Sequence, residues 1–178
     1  MTPPIICIVG KKKSGKTTFI EKLLPALRRL GISVGTVKHD AHSFEMDHEG
    51  KDSWRHRQAG AETVVVSSPS QVAVIKSVES EMWLNELAEE FFSDRQLIIV
   101  EGYYLSDYPK IEVHRADAHQ HPLCDVQNET EKKLMAVVSD TAVNTGRPIF
   151  GLEEAGEVAT YIARQHLGWV HNGMWGGN

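Results

Sequence analysis

Residues 5–24, IICIVGKKKSGKTTFIEKLL, decide the fold. The run 4–10, PIICIVG, is short, apolar and β-rich and ends in glycine, which predicts a buried strand. Residues 16–31 place Phe19, Ile20, Leu23, Leu24, Leu27 and Leu30 at helical spacing, with Gly31 as a stop. Pro25 lies inside that helix and is expected to kink or loosen it. Between strand and helix, Gly10 to Thr17 matches G-x-x-x-x-G-K-[ST] at every fixed position. Glycines at Gly10 and Gly15 let the backbone curl around a phosphate. The amides of Lys13, Ser14, Gly15, Lys16 and Thr17 then point inward, and the helix start adds partial positive charge. Thr18 completes the binding set. Lys16 would reach the β- and γ-phosphates, and the Thr17 hydroxyl would ligate Mg²⁺. Lys11, Lys12 and Lys13 read either as a solvated basic face or as cations that approach a nucleotide across a dimer interface.

Working outward, 32–39 reads as a second strand, so the first three pieces form a βαβ unit and require a parallel sheet. Residues 40–53 are polar and loop-like. A short helix is expected over 53–60, capped by Ser53. Strands over 62–68 and 71–77, joined by Ser-Pro-Ser, suggest a hairpin. A helix over 80–92 with Ser80 as its cap follows. Further strands are expected over 96–104, 110–115 and 134–140, and a last helix over 153–167. With no internal repeat and no low-complexity linker, this is an α/β chain: a mainly parallel sheet flanked by helices, with a β-hairpin extension, forming one nucleotide-binding domain over residues 1–178.

The chain of 178 residues is long enough to bury a real core, and a formal net charge of −5 argues against nucleic-acid binding through overall basicity. Cys7 and Cys124 are too few and too far apart for a disulfide framework. No apolar run reaches the ~20 residues that span a bilayer, and the first residues lack a basic leader and cleavage site. A cytoplasmic protein is expected.

A phosphate loop needs an acidic residue at the end of a neighbouring buried strand to hold Mg²⁺, directly or through water. Glu101, in QLIIVEGYY (96–104), stands there, and Gly102 could offer its amide to a γ-phosphate. Lys16 and Glu101 are therefore the candidate catalytic pair. The segment after the second strand starts at the carboxyl edge of the sheet, where ligands of open α/β sheets bind. It carries Lys38, His39, Asp40, His42, Asp47, His48, Lys51, Asp52, Arg55, His56 and Arg57. Asp40 could join Thr17 and Glu101 around the metal, while Lys38, His39, Lys51, Arg55 and Arg57 could meet an anionic ligand. The run HRADAHQHPLC offers His114, His119, His121 and Cys124, a donor set that suits zinc but matches no familiar ligand pattern.

Taken together, VGKKKSGKTT, VKHDAHSFEMDHEGKDSWRHRQAGA and LIIVEGYY resemble the molybdopterin-guanine dinucleotide biosynthesis adapter family, MobB, from about residue 4 to about residue 152. The family's V-K-H-x-x-H stretch corresponds to Val37, Lys38, His39 and His42, its D-x-x-G-K-D-S stretch to Asp47–Ser53, its A-G-A turn to Ala59–Ala61 and its V-E-G to Val100–Gly102. The resemblance implies the fold of P-loop GTPases, homodimers, GTP and Mg²⁺ as ligands, and weak intrinsic hydrolysis. It also implies partnership with MobA, the guanylyltransferase that joins GMP to molybdopterin. Residues 38–57 would then contact either the γ-phosphate or the anionic pterin. No N-K-x-D motif is present, but Asp140 ends a late strand about where such GTPases place their base-reading aspartate, and its carboxylate could accept both the N1 and N2 protons of guanine. Two other readings share the phosphate loop: a small-molecule kinase using ATP with Asp40 as base, and a metal-delivering GTPase using the histidines.

Overall fold

A computed structural model describes residues 2–39, 44–124 and 133–168. Its elements, in chain order, are β1 (Ile5–Val9), α1 (Lys16–Arg29), β2 (Val34–Lys38), α2 (Asp52–Gln58), β3 (Thr63–Ser67), β4 (Val72–Lys76), α3 (Leu84–Phe91), β5 (Leu97–Glu101), β6 (Lys110–His114), β7 (Leu134–Ser139), β8 (Ile149–Phe150) and α4 (Ala155–His166). The chain divides into two compact units, one from the described residues of 1–39 and 88–178, the other from those of 40–87. The division falls within α3.

In the first unit six strands lie in the order β2-β5-β1-β6-β7-β8. Every neighbouring pair is parallel, so all strand carboxyl ends meet at one edge. Side chains alternate across the sheet. One face, with Ile6, Ile8, Leu97, Ile99, Ile111, Val113, Ala136 and Val138, packs with Phe19, Leu23 and Leu27 of α1 and Val158 and Ile162 of α4 in the main core. Removing so much aliphatic surface from water, at about 25 cal/mol per Å², is what holds the two helices on the sheet.

The alternate register of β6 is polar yet fully buried, because backbone groups meet each side chain. Lys110 donates to the carbonyls of Ser106 and Tyr108. Glu112 accepts from the amides of Leu123 and Cys124. His114 lies 3.1 Å from the Ser139 hydroxyl through Nδ1 and 3.0 Å from the His119 carbonyl through Nε2. A buried polar group is tolerable only with such partners.

Several local expectations shift. α1 runs without interruption through Pro25; Pro25 and Glu21, whose carbonyl loses its donor, are both exposed, so the freed oxygen lies on the solvent side. α3 begins at Leu84, not near Ser80, because Glu86 reaches back to accept the Trp83 amide at 2.6 Å. The two-residue β8 was not anticipated; so short an edge strand carries no periodicity to read. Residues 102–109 return the chain from β5 to the parallel β6 without a helix, and the Cys7 amide bonds the Pro109 carbonyl at 2.9 Å.

In the second unit α2 packs against β3, and β3 pairs antiparallel with β4. Ser68 closes the hairpin: its amide donates to the Gln71 carbonyl at 2.8 Å and its hydroxyl accepts from the Gln71 amide at 3.0 Å. The cap residue of α2 is Lys51 rather than Ser53, since the Ser53 hydroxyl is engaged by Asp47 Oδ1 at 2.9 Å. Val64 is buried, whereas Val65, Val66, Val72 and Val74 are 57%, 52%, 66% and 43% exposed, so the hairpin carries an apolar surface. Among the described residues no helix is long and apolar enough to cross a membrane.

Candidate functional site

The loop 10–17 stands at the carboxyl edge, above β1 and between the ends of β5 and β6. This is where the strand order reverses direction from β1 outward, the usual crevice of an open α/β sheet. Its shape depends on residues that accept unusual backbone angles. Gly10 has φ 145°, and a Cβ there would come 2.3 Å from the Val113 carbonyl oxygen. Gly15 has φ 91°. Lys13, at φ 67°, adopts the left-handed region despite its side chain, a cost of the kind that concentrates at functional sites. Ser14 is buried, and its hydroxyl has no hydrogen-bond partner among the described residues. Lys16 Nζ donates to the carbonyls of Gly10 at 2.9 Å and Lys11 at 3.0 Å. Burial lowers the pKa of this ammonium, and the negative charge of Glu101 acts in the opposite direction.

Thr17, in the first turn of α1, donates its hydroxyl toward both carboxylate oxygens of Glu101, 3.0 Å from each. Glu101 ends β5 on the face that carries Leu97 and Ile99, which turns it toward α1. Its backbone carbonyl accepts the His39 amide at 3.1 Å. The Gly102 amide does not face a ligand: it donates to the Ile8 carbonyl at 3.0 Å and extends the β1–β5 ladder. Tyr103 follows with φ 54°, its ring 4.5 Å from that of His39, centroid to centroid. Lys38 is exposed at the end of β2, opposite Glu101 in register.

The rest of the 38–57 block divides. Asp40 and His42 lie outside the described residues. Lys51, Arg55 and Arg57 belong to the second unit, where Lys51 is exposed, Arg55 lies 3.7 Å from Asp52 and Arg57 lies 3.8 Å from Asp47.

The other wall of the loop is residues 114–124, where the rings of His114 and His119 are held by the fold. His119 Nε2 lies 2.6 Å from the Lys12 carbonyl, and Lys11 Nζ donates to the His121 carbonyl at 2.8 Å. With His114 and His119 each held by backbone oxygen, the zinc set does not assemble, and no cluster of three or more metal-ligating side chains occurs among the described residues. Cys124 is buried. Asp140, after β7, has Oδ1 fixed by the Ala116 amide at 2.9 Å. Its Oδ2 lies 4.0 Å from Arg115 Nε. Sequence reading missed Arg115. Its place at the carboxyl end of the strand expected over 110–115 was the available signal.

The residues fit a nucleoside triphosphate with Mg²⁺. The buried Ser14 hydroxyl lacks a partner, Lys16 brings an ammonium to the loop's own carbonyls, and Thr17 and Glu101 supply the hard oxygen donors that Mg²⁺ takes.

Comparison with known proteins gives the lineage. The family model described as molybdopterin guanine dinucleotide synthesis protein B, MobB, matches residues 5–140. A molybdopterin-guanine dinucleotide biosynthesis adapter protein of Haemophilus influenzae is 31% identical over 95% of this chain and 90% of its own length. One of Escherichia coli is 30% identical over 89% of this chain and 91% of its own. A crystal structure of molybdopterin-guanine biosynthesis protein B is 32% identical, covers 90% of this chain and 97% of that one, and superposes with a TM-score of 0.71. A parallel sheet of this strand order, a loop of this sequence between its first strand and helix, and relatives that match nearly end to end agree: the chain belongs to the MobB family of molybdopterin guanine dinucleotide biosynthesis proteins.

Proposed function

We propose that the chain binds GTP with Mg²⁺ at the 10–17 loop and assists a MobA-type guanylyltransferase as it joins GMP to molybdopterin. The observation that carries this reading is the contact of Thr17 with Glu101 beside Lys16, three groups at one mouth of one loop. In this reading Lys16 and the amides of residues 13–17 hold the triphosphate charge, with Thr18 one residue into the helix. Thr17 and Glu101 hold the metal, which would neutralise charge on the terminal phosphates. Asp140 reads the base. Lys38 and His39, at the exit of β2, meet the terminal phosphate or the anionic pterin.

Hydrolysis is slow in this account. No residue in the sequence reads as a water-positioning glutamine, and in this reading the protein acts mainly as an adapter in the cytoplasm. The exposed valines of the β3–β4 hairpin support a homodimer, because an isolated two-stranded ribbon is marginal and an exposed apolar patch favours association.

Calorimetric titration with GTP and ATP, with and without Mg²⁺, repeated with the guanylyltransferase present, tests the proposal. Saturable Mg²⁺-dependent GTP binding and a complex with the transferase support it. Failure to bind any nucleoside triphosphate removes it.

A further inference from the structure

The ends of β6 and β7 supply a second half to the loop site. Glu101 and Thr17 mark the metal, and so the terminal-phosphate end of the ligand, on the β5 side of β1. A nucleotide anchored there carries its base away from the metal, toward the ends of β6 and β7 on the other side of β1. Arg115 and Asp140 stand at those ends. The Arg115 stem lies along the loop, its Cδ 3.6 Å from where a Cβ on Gly15 would be. Its Nη2 meets Asp117 at 3.2 Å, and its Nε, buried, has no hydrogen bond among the described residues but lies 4.0 Å from Asp140 Oδ2. The residue after it, Ala116, holds the other oxygen of Asp140 through its amide at 2.9 Å. One short turn thus orients the Asp140 carboxylate from two directions and leaves a guanidinium plane beside the loop.

We propose that Arg115 determines base specificity: its planar guanidinium forms one wall of the base site, stacked on a purine, and holds Asp140 where it accepts the two N–H groups of guanine. This rests on the nucleotide reading above. A guanidinium stacks on aromatic planes in a way an ammonium cannot. Guanine presents two adjacent donors to one carboxylate, and adenine has no such pair. Arg115 and Asp140 come from different strands, which is why a contiguous base-reading motif is not found around Asp140.

The test uses the full chain and its R115A, R115K and D140N variants, with affinities for GTP, ATP, XTP and inorganic tripolyphosphate measured in Mg²⁺ and the thermal midpoint recorded for each. R115A should weaken GTP about tenfold, the scale of one partly buried cation–π contact, while tripolyphosphate binds as before and the GTP-to-ATP ratio falls. R115K keeps a positive charge but neither the plane nor the Nε that faces Asp140, and should also lose GTP preference at an unchanged midpoint. D140N should shift preference from GTP toward XTP. Equal losses of GTP and tripolyphosphate in R115A would mean that Arg115 only fastens the loop, and an unaltered GTP-to-ATP ratio in both Arg115 variants would likewise overturn the inference. If R115A lowers the midpoint, R115K decides alone. Wild-type protein that binds tripolyphosphate but favours neither base overturns this inference and leaves the phosphate site standing; wild type that binds neither tripolyphosphate nor GTP removes both.

Discussion

The hydroxyl of Thr17 lies 3.0 Å from each carboxylate oxygen of Glu101. These residues are far apart in sequence, one opening the first helix and the other closing the fifth strand, and the parallel pairing of β1 with β5 brings them together. A hydroxyl and a carboxylate at this spacing are the donors from which Mg²⁺ takes one or two protein ligands while keeping its waters. Glu101→Gln keeps the shape but removes the charge. It should raise the Mg²⁺ concentration needed for half-maximal GTP binding at least about tenfold, the order of one charge-assisted contact. A magnesium titration at fixed GTP measures it, and identical curves for variant and wild type would contradict the role.

Lys16→Ala should abolish most triphosphate affinity. Two charge-assisted hydrogen bonds of about 1.5 kcal/mol each correspond to roughly a hundredfold. The fold should survive, because the hydrogen bonds of Lys16 among the described residues go to carbonyls of the loop itself. Calorimetry alongside a thermal melt separates the two effects.

Gly35 predicts a packing defect. A Cβ at this position of β2 would lie 2.2 Å from Phe92 Cδ1 and 2.6 Å from Cε1. Gly35→Ala should cost about 1–3 kcal/mol through overpacking. Adding Phe92→Leu should recover part of that loss, a coupling that a double-mutant cycle of denaturant midpoints reads directly.

His166 gives a pH dependence of stability. Burial holds its imidazole below the ordinary value, so the unfolded chain takes up this proton first as pH falls. Stability contributed by the neutral ring is present above about pH 6.5 and is lost as pH falls through the lower folded value. His166→Asn should reduce the drop in thermal midpoint between about pH 7.5 and pH 5, and a melt series across that range checks it.

Much of this was legible in the residues. A strand ending in glycine, a helix opening on Lys-Thr and a buried strand ending in glutamate gave the parallel α/β sheet and the Lys16, Thr17 and Glu101 cluster, because those patterns are local. What depended on register across the sheet was not legible. The Gly102 amide belongs to the ladder with Ile8, and nothing in V-E-G says which way that N–H points. His114 and His119 read as metal donors by composition, yet each ring meets backbone oxygen contributed by the fold. Arg115 meets Asp140 only because β6 and β7 lie side by side.

The most direct test of the central claim is a crystal structure with a non-hydrolysable GTP analogue and Mg²⁺. The account predicts triphosphate density within hydrogen-bond reach of the amides of residues 13–17, with Lys16 Nζ moved from the Gly10 and Lys11 carbonyls onto phosphate oxygen. Triphosphate bound elsewhere, with Lys16 still on those carbonyls, would contradict it.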